Sequence, residues 1–332
     1  MDEKTHIFDL HCDTLDRLAL HGSSAYPTFA PQDEMVPHAR MSSLADNDAH
    51  ISLQRTSRLA WCQCFAVFVP DELRGDDAWR FFEYVRAYFE DQMAAHPELV
   101  EQVLDARDIA EVLDAGKTAA LLTVEGGAFF DGESLEHADD IARAGVKMLT
   151  LTWNGPNAIG SGHDTAQGLS AYGKRVVAAL EERRIVVDAS HLNDRGFSDL
   201  CDTATRPFAA SHSNARSVCG HKRNLTDAQI RAIAEAGGII GLNFCTDFLS
   251  DTHSDPTYDD VLRHIDRICE AGGEDVLALG SDYDGCDVPS WLSSADKAGN
   301  LHALIVEHFG RAMADKACFE NASRFFVRNE EL

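Results

Sequence analysis

Short apolar runs rich in β-branched residues alternate with amphipathic stretches along almost the whole chain. This alternation is typical of βα units, in which parallel strands buried on both faces are joined by helices. Eight such runs predict eight parallel strands, and therefore an α/β fold that closes into a (β/α)8 TIM barrel. The strands are predicted over residues 6–10, 61–69, 118–124, 146–152, 185–189, 207–210, 238–243 and 276–280.

Helical periodicity fills the stretches between the predicted strands. Three of these stretches end at or beside a glycine, at Gly145, Gly237 and Gly272, as expected where a helix is capped at its carboxyl end. The clearest helices are predicted over residues 77–95, 135–144, 169–183, 226–236 and 258–271.

The chain is expected to form a single domain over residues 1–332. At 332 residues and 45% hydrophobic content it can bury a large core, and barrels of this length are commonly one domain. The segment 22–58, with Pro27, Pro31 and Pro37, is too long for a simple connection. We expect it to be a loop-rich insertion with a short helix over the mouth of the barrel.

The net charge of the chain argues against polyanionic partners. There are 29 basic and 55 acidic side chains, a net charge of -26, which opposes binding to phosphate backbones and anionic membrane surfaces. We therefore expect neither nucleic acid nor a membrane as a partner.

The cysteines and the ends of the sequence indicate a cytoplasmic protein. The nine cysteines contain no Cys-x-x-Cys, and Cys62 and Cys64 fall on a predicted buried strand, as free thiols do in a reducing compartment. The beginning of the sequence has no apolar signal segment and its end has no anchor tail.

Candidate metal ligands follow five of the predicted strands. His11 and Asp13 follow the first strand, and residues two apart in an extended backbone point the same way. The carboxyl ends of barrel strands share one face, so all these side chains should converge there. The other candidates are Glu125 after strand three, His191 after strand five, His212 after strand six and Asp282 after strand eight.

These residue types predict a centre of two zinc ions. Imidazole nitrogens and carboxylate oxygens are the usual ligands of catalytic Zn²⁺, and hydrolases place two ions about 3.5 to 4 Å apart around a shared hydroxide. One carboxylate must then bridge the ions. Glu125 suits this role because Gly126 and Gly127 remove side-chain bulk beside it.

Six ordered motifs resemble those of a known family over nearly the whole chain. The sequence is similar to the membrane (renal) dipeptidase family, peptidase family M19, and in particular to its bacterial, unanchored branch. The motifs are His11-Cys-Asp-Thr, Thr123-Val-Glu-Gly-Gly, Val187-Asp-Ala-Ser-His-Leu, Ala210-Ser-His-Ser-Asn-Ala-Arg, Arg223-Asn-Leu-Thr-Asp and Gly280-Ser-Asp-Tyr-Asp-Gly.

The resemblance implies a dinuclear zinc peptidase on a metal-dependent amidohydrolase-type barrel. It implies that His11 and Asp13 hold one zinc ion, that His191 and His212 hold the other, and that Glu125 bridges both. A hydroxide shared by the ions would attack the carbonyl of a dipeptide substrate.

Two further roles follow from the same resemblance. Asp282 would carry the proton to the leaving amine, and Arg223, eleven residues after His212, would bind the C-terminal carboxylate of the dipeptide. Family members are often dimers, so the resemblance also implies a homodimer.

Trp153 departs from the mammalian pattern, in which a histidine thought to stabilise the tetrahedral intermediate follows the fourth strand. An indole offers one N–H and no charge, so stabilisation of the oxyanion would be weaker or would have to come from zinc or another group. A Trp-Asn version of this motif is similar to that of bacterial relatives. We expect Trp153 to form an apolar wall of the substrate pocket.

Two other functions remain open at the level of sequence. The same metal pair could hydrolyse N-acyl amino acids or related amides, because the metals are indifferent to the acyl group. The chain could also be a non-catalytic metal-binding scaffold, although a scaffold has no need of a proton carrier such as Asp282.

Overall fold

The protein is a closed barrel of parallel strands surrounded by helices. The computed structural model describes residues 4–29 and 40–332, and these contain nine strands. The strands are β1 (His6–Cys12), β2 (Ala60–Phe68), β3 (Val100–Gln102), β4 (Thr118–Glu125), β5 (Val146–Thr150), β6 (Val186–Asp188), β7 (Ala209–Ala210), β8 (Ile239–Leu242) and β9 (Leu277–Leu279).

Eight of the nine strands close the barrel in the order β1-β2-β4-β5-β6-β7-β8-β9, with β9 paired to β1. These eight correspond to the eight predicted strands, so the predicted TIM barrel is confirmed. The additional strand β3 pairs only with the beginning of β4. It was not predicted, because three residues with a single buried side chain, Val100, carry no periodic signal.

Helices follow most of the strands and cover the barrel. All five predicted helices are present, as α3, α5, α6, α8 and α10. The helices are α1 (Thr14–Leu20), α2 (Leu53–Thr56), α3 (Gly75–Ala95), α4 (Ile109–Asp114), α5 (Glu136–Arg143), α6 (Ala171–Glu182), α7 (Asp194–Thr203), α8 (Asp227–Glu235), α9 (Thr246–Leu249), α10 (Tyr258–Gly272), α11 (Ala298–Phe309), α12 (Arg311–Asp315) and α13 (Asn321–Glu331).

Apolar side chains fill the barrel, and α13 covers its amino end. One buried cluster takes residues from all eight barrel strands, and Phe326 of α13 stacks on Phe8 of β1 with ring centroids 5.5 Å apart. Apolar side chains therefore close the amino end of the barrel. The barrel residues of this cluster include Phe8, Cys62, Leu121, Met148, Val186, Ala209, Ile239 and Ala278.

The segment 22–58 runs from the carboxyl end of the barrel to its amino end, and its residues 30–39 lie outside the described residues. The short helix α2 lies at the amino end, where the Thr56 hydroxyl is 2.8 Å from that of Thr118, the first residue of β4, so the expectation of a helix over the mouth was wrong for α2. The backbone N–H of His50 donates to the Asp284 carboxylate at 2.7 Å, and Phe29 lines the cavity at the barrel mouth. Within the described ranges, every helix is too short or too polar to cross a membrane.

Candidate active site

The Glu125 carboxylate lies between three histidines at the end of β4. Its Oε2 is 3.5 Å from His11 Nε2, and its Oε1 is 2.6 Å from His191 Nε2 and 3.6 Å from His212 Nε2. The Nε2 atoms of His191 and His212 are 3.0 Å apart. Three histidines from three other strand ends therefore meet around one buried carboxylate.

Asp13 and Asp282 complete this cluster on the side of His11. Asp13 Oδ2 and Asp282 Oδ1 lie 3.5 and 4.0 Å from His11 Nε2. All six predicted ligand or acid–base residues are thus together at the carboxyl end of the barrel. Potential ligand atoms lie within 4.8 Å of one another in two sets that share His11, one with Glu125 and His212 and one with Asp13 and Asp282.

The donor set fits a divalent cation. His11 Nε2 is buried and has no hydrogen-bond partner among the described residues, although three carboxylates surround it. A buried polar atom without a partner is rare in proteins, and imidazole with carboxylate is a ligand set of catalytic zinc. Burial, reinforced by Arg223, lowers the pKa of His191 to about 3, so this imidazole is in the neutral form that binds metal.

Two of the site residues have a left-handed backbone. His191 has φ 70° and Asp282 has φ 61°, and each lies three residues past the end of a strand. Such conformations are uncommon outside glycine and cost about 1–3 kcal/mol each, so they persist where the surroundings enforce them. From these turns His191 Nε2 reaches Glu125 Oε1 at 2.6 Å, and Asp282 Oδ1 lies 4.0 Å from His11 Nε2.

Two buried aspartates hold the backbone that carries His212 and Asp282. Asp188 accepts hydrogen bonds from the amide and the hydroxyl of Ser211, and Asp9 accepts the same pair from Ser281 at 2.7 and 2.6 Å. Each serine immediately precedes a site residue. The sequence analysis did not identify either aspartate; the available signal was a carboxylate within an apolar strand, two or three positions before a ligand.

The imidazole tautomers are set by neighbours. Since the Ser211 hydroxyl donates to Asp188, it accepts from His212 Nδ1 at 2.7 Å, which leaves Nε2 unprotonated towards Glu125. Asn154 Oδ1 likewise lies 2.9 Å from His191 Nδ1. Asn154 follows Trp153 directly, and that adjacency was the only sequence signal for it.

Asn243, at the end of β8, orients Asp282. Its amide group donates to Asp282 Oδ2 at 2.9 Å and to the backbone carbonyl of His212 at 3.2 Å. Burial tends to raise the pKa of Asp282, but His212 and His11 outweigh it and the pKa lies below its usual value. Asn243 was also missed, because a single asparagine after a strand is indistinguishable from a turn residue.

Arg223 and Trp153 line a cavity of about 590 Å³ above the cluster. Arg223 is 6% exposed, its Nε and Nη2 have no hydrogen-bond partner among the described residues, and its guanidinium lies 5.4 Å from the Phe248 ring centre. Trp153 contacts Phe68 edge-on with centroids 5.0 Å apart and lies 6.3 Å from the His191 ring. A cationic group and an aromatic wall thus flank the cluster.

His163 also lines this cavity, although a histidine in the loop after β5 cannot be distinguished by sequence from a solvated one. Its Nδ1 is buried without a hydrogen-bond partner among the described residues. Burial and then the positive charge of Arg223 lower the pKa of His163 to about 4, so its imidazole is neutral. The arrangement as a whole can bind cations, move a proton through Asp282 and hold an anion at Arg223.

Comparison with known proteins gives a family match over the whole chain. The family model described as membrane dipeptidase (peptidase family M19) matches residues 1–332. An uncharacterized protein in the pqqA 5'region of Klebsiella pneumoniae is 36% identical over 232 residues, which cover 66% of this chain and 84% of that protein.

Two solved structures share the whole fold. A metallo peptidase from Rhodobacter sphaeroides, liganded with a phosphinate mimic of the dipeptide L-Ala-D-Ala, is 25% identical with a TM-score of 0.87 over 98% of this chain and all of that one. The dipeptidase AC, a metallo peptidase of family M19, is 27% identical with a TM-score of 0.87, over 98% and 99% of the two chains. The chain therefore belongs to the membrane dipeptidase family, peptidase family M19, a family of metallo-dipeptidases.

Proposed function

We propose that this protein hydrolyses dipeptides that have a free C-terminal carboxylate, using two zinc ions. The observation that carries the proposal is the position of the Glu125 carboxylate, with one oxygen towards His11 and the other towards His191 and His212. A carboxylate that faces two sets of ligands in this way is suited to bridge two cations. The phosphinate mimic of a dipeptide bound by the Rhodobacter sphaeroides relative supports the substrate class.

In this proposal His11 and Asp13 hold one ion, His191 and His212 hold the other, and Glu125 contacts both. When bound, such an ion pair activates water and polarises the scissile carbonyl. The neutral state of His191 and the fixed tautomer of His212 favour ligation through Nε2. The tight grouping of these side chains then requires little rearrangement on metal binding.

Asp282 is proposed to take the proton from the attacking water and to deliver it to the leaving amine. Its Oδ2 is held by Asn243 at 2.9 Å, which leaves Oδ1 facing the cluster. Arg223 is proposed to bind the C-terminal carboxylate, because its unpartnered Nε and Nη2 form one edge of the guanidinium fork. Trp153 is proposed to form a wall of the pocket that accepts the substrate side chain.

A panel of dipeptides, N-acyl amino acids and amidated dipeptides tests the proposal on zinc-loaded protein. We expect cleavage of free dipeptides with kcat/KM well above that of the other two classes. Preferential cleavage of N-acyl amino acids would favour the amidase alternative, and no turnover with full zinc content would favour the scaffold alternative.

The proposal also includes a homodimeric protein of the cytoplasm. The free cysteines among the described residues are consistent with a reducing compartment. Cell fractionation and sedimentation velocity would test these two points separately.

A further inference from the structure

Asp16 is a buried carboxylate of the cavity wall that the proposed reaction does not use. It lies on α1, lines the cavity and is 5% exposed. Its Oδ2 accepts a hydrogen bond from the backbone N–H of Phe68 at 2.8 Å. Its Oδ1 is buried and has no hydrogen-bond partner among the described residues. Asp16 Oδ2 therefore fixes the side chain, and Oδ1 remains available to a bound ligand.

The unpartnered oxygen of Asp16 favours a positively charged occupant. A buried carboxylate with an unsatisfied oxygen is costly unless a donor or a cation reaches it. Among the described residues, Asp16 makes no hydrogen bond to a proposed metal ligand, so it does not serve to position one.

Asp16 and Arg223 lie on opposite sides of the barrel mouth. The hydrogen bond to Phe68 fastens Asp16 to the carboxyl end of β2, whereas Arg223 belongs to the segment after β7. In the closed barrel, β2 and β7 are four strands apart in either direction. The proposed metal ligands are thus flanked by an unpartnered acceptor on one side and unpartnered donors on the other.

We propose that Asp16 binds the protonated amine of the substrate's N-terminal residue while Arg223 binds the carboxylate at the other end. This inference rests on the proposed dipeptidase function and adds a determinant of which substrates are accepted. In a dipeptide the α-ammonium is attached to the residue that carries the scissile carbonyl, and the C-terminal carboxylate lies roughly 3.5 Å of extended chain beyond the bond. Only a dipeptide brings both charges close to a single carbonyl.

Two pairs of substrates of matched size show whether the protein recognises the α-ammonium or a side-chain ammonium of the substrate. Alanyl-alanine and lactoyl-alanine differ in having an ammonium or a hydroxyl at the same carbon. Lysyl-alanine and 2-aminoheptanoyl-alanine differ in having an ammonium or a methyl group at the end of a side chain of the same length. The ratio of kcat/KM within each pair measures recognition of that charge with the rest of the substrate unchanged.

The wild-type protein, loaded with zinc, is compared with Asp16→Asn and Glu72→Gln. The asparagine keeps an oxygen for the Phe68 amide and removes the charge. Glu72 lines the same cavity but is exposed, so Glu72→Gln controls for the general loss of negative charge at the mouth. We expect wild type to prefer alanyl-alanine over lactoyl-alanine by roughly 10- to 100-fold, the size of one charge-assisted hydrogen bond.

In Asp16→Asn this preference should fall to within about threefold, chiefly through a higher KM for alanyl-alanine, while Glu72→Gln retains it. If Asp16→Asn loses only the preference for lysyl-alanine over its neutral counterpart, Asp16 binds the side-chain amine of the substrate and not its α-amine. The inference is overturned if wild type shows no preference within either pair, a result that needs no variant. It is also overturned if Asp16→Asn keeps both preferences, if Glu72→Gln loses them equally, or if Asp16→Asn loses zinc.

These results separate the two proposals. Hydrolysis of dipeptides without charge preference rejects the role of Asp16 alone, whereas absence of any dipeptide hydrolysis by zinc-replete wild type rejects the dipeptidase function and this role with it.

Discussion

Asp188 accepts a hydrogen bond from the backbone amide of Ser211 at 2.8 Å and another from its hydroxyl at 2.6 Å. Thr150 donates to the same carboxylate at 2.6 Å. Burial tends to raise the pKa of Asp188, but His212 and these hydroxyl donors lower it below its usual value, so the group is ionised. The Ser211 hydroxyl therefore links the ionised Asp188 carboxylate to the His212 imidazole by hydrogen bonds.

Asp188→Asn should weaken metal binding by roughly 10- to 100-fold without unfolding the barrel, as loss of an outer partner of a metal-binding histidine does. Competition with a chromophoric chelator measures the affinity, and circular dichroism checks the fold. Asp202→Asn, on the exposed side of α7, is the matched control. An unchanged affinity in Asp188→Asn would mean that Ser211 alone positions His212.

The protein should bind two zinc ions per chain, and Glu125→Gln should lower zinc affinity more than any other single substitution. The reason is that the Glu125 carboxylate faces both sets of ligands, so its loss weakens both ions together. Elemental analysis after zinc reconstitution gives the stoichiometry. A stable value of one ion per chain would rule out the bridged centre.

Asp282→Asn should keep its zinc and slow peptide hydrolysis by about 10²- to 10⁴-fold, the usual contribution of a well-placed acid–base group. Asparagine can still pair with Asn243, so the loop should retain its position. Steady-state kinetics with parallel zinc analysis make the comparison. Near-normal kcat with intact metal would show that another group carries the proton.

Arg223→Ala should raise KM for dipeptides with a free carboxylate and leave amidated dipeptides little affected. Arg223→Lys keeps the charge but not the planar fork, and should recover only part of the loss. Initial rates on free and amidated forms of one dipeptide provide the measurement. An equal loss on both forms would place Arg223 outside carboxylate recognition.

Trp153→Ala should change which side chains are accepted more than it changes hydrolysis of small dipeptides. Trp153 packs edge-on against Phe68 and lines the cavity, as a wall residue would. Comparison of kcat/KM on a small and a bulky dipeptide series separates pocket shape from chemistry. Equal losses in both series would contradict the wall interpretation.

The barrel could be predicted because its signals are periodic and local. Each barrel strand is a buried apolar run, and each candidate ligand follows such a run at the same place, so topology alone brings them together. The grouping of the six residues was therefore predictable from the sequence. Their individual roles remain predictions.

The supporting residues could not be predicted in the same way. Asp9 and Asp188 bond to serines 272 and 23 residues away, and Asn243 reaches Asp282 across 39 residues. Such pairings depend on which strand ends are adjacent and on the turns there, including the left-handed backbone of Asp282. Spacing along a single chain carries none of this information.

The pairing of β1 with β9 closes the ring between the first strand and the last. His11 and Asp13 thus share a cluster with Asp282, some 270 positions later in the chain. During synthesis His11 and Asp13 leave the ribosome long before Asp282 does, so a growing chain holds only part of the cluster. Closure of the ring must then wait until nearly the whole polypeptide has been released, and a product truncated before β9 would leave β1 without one neighbouring strand and would lack Asp282.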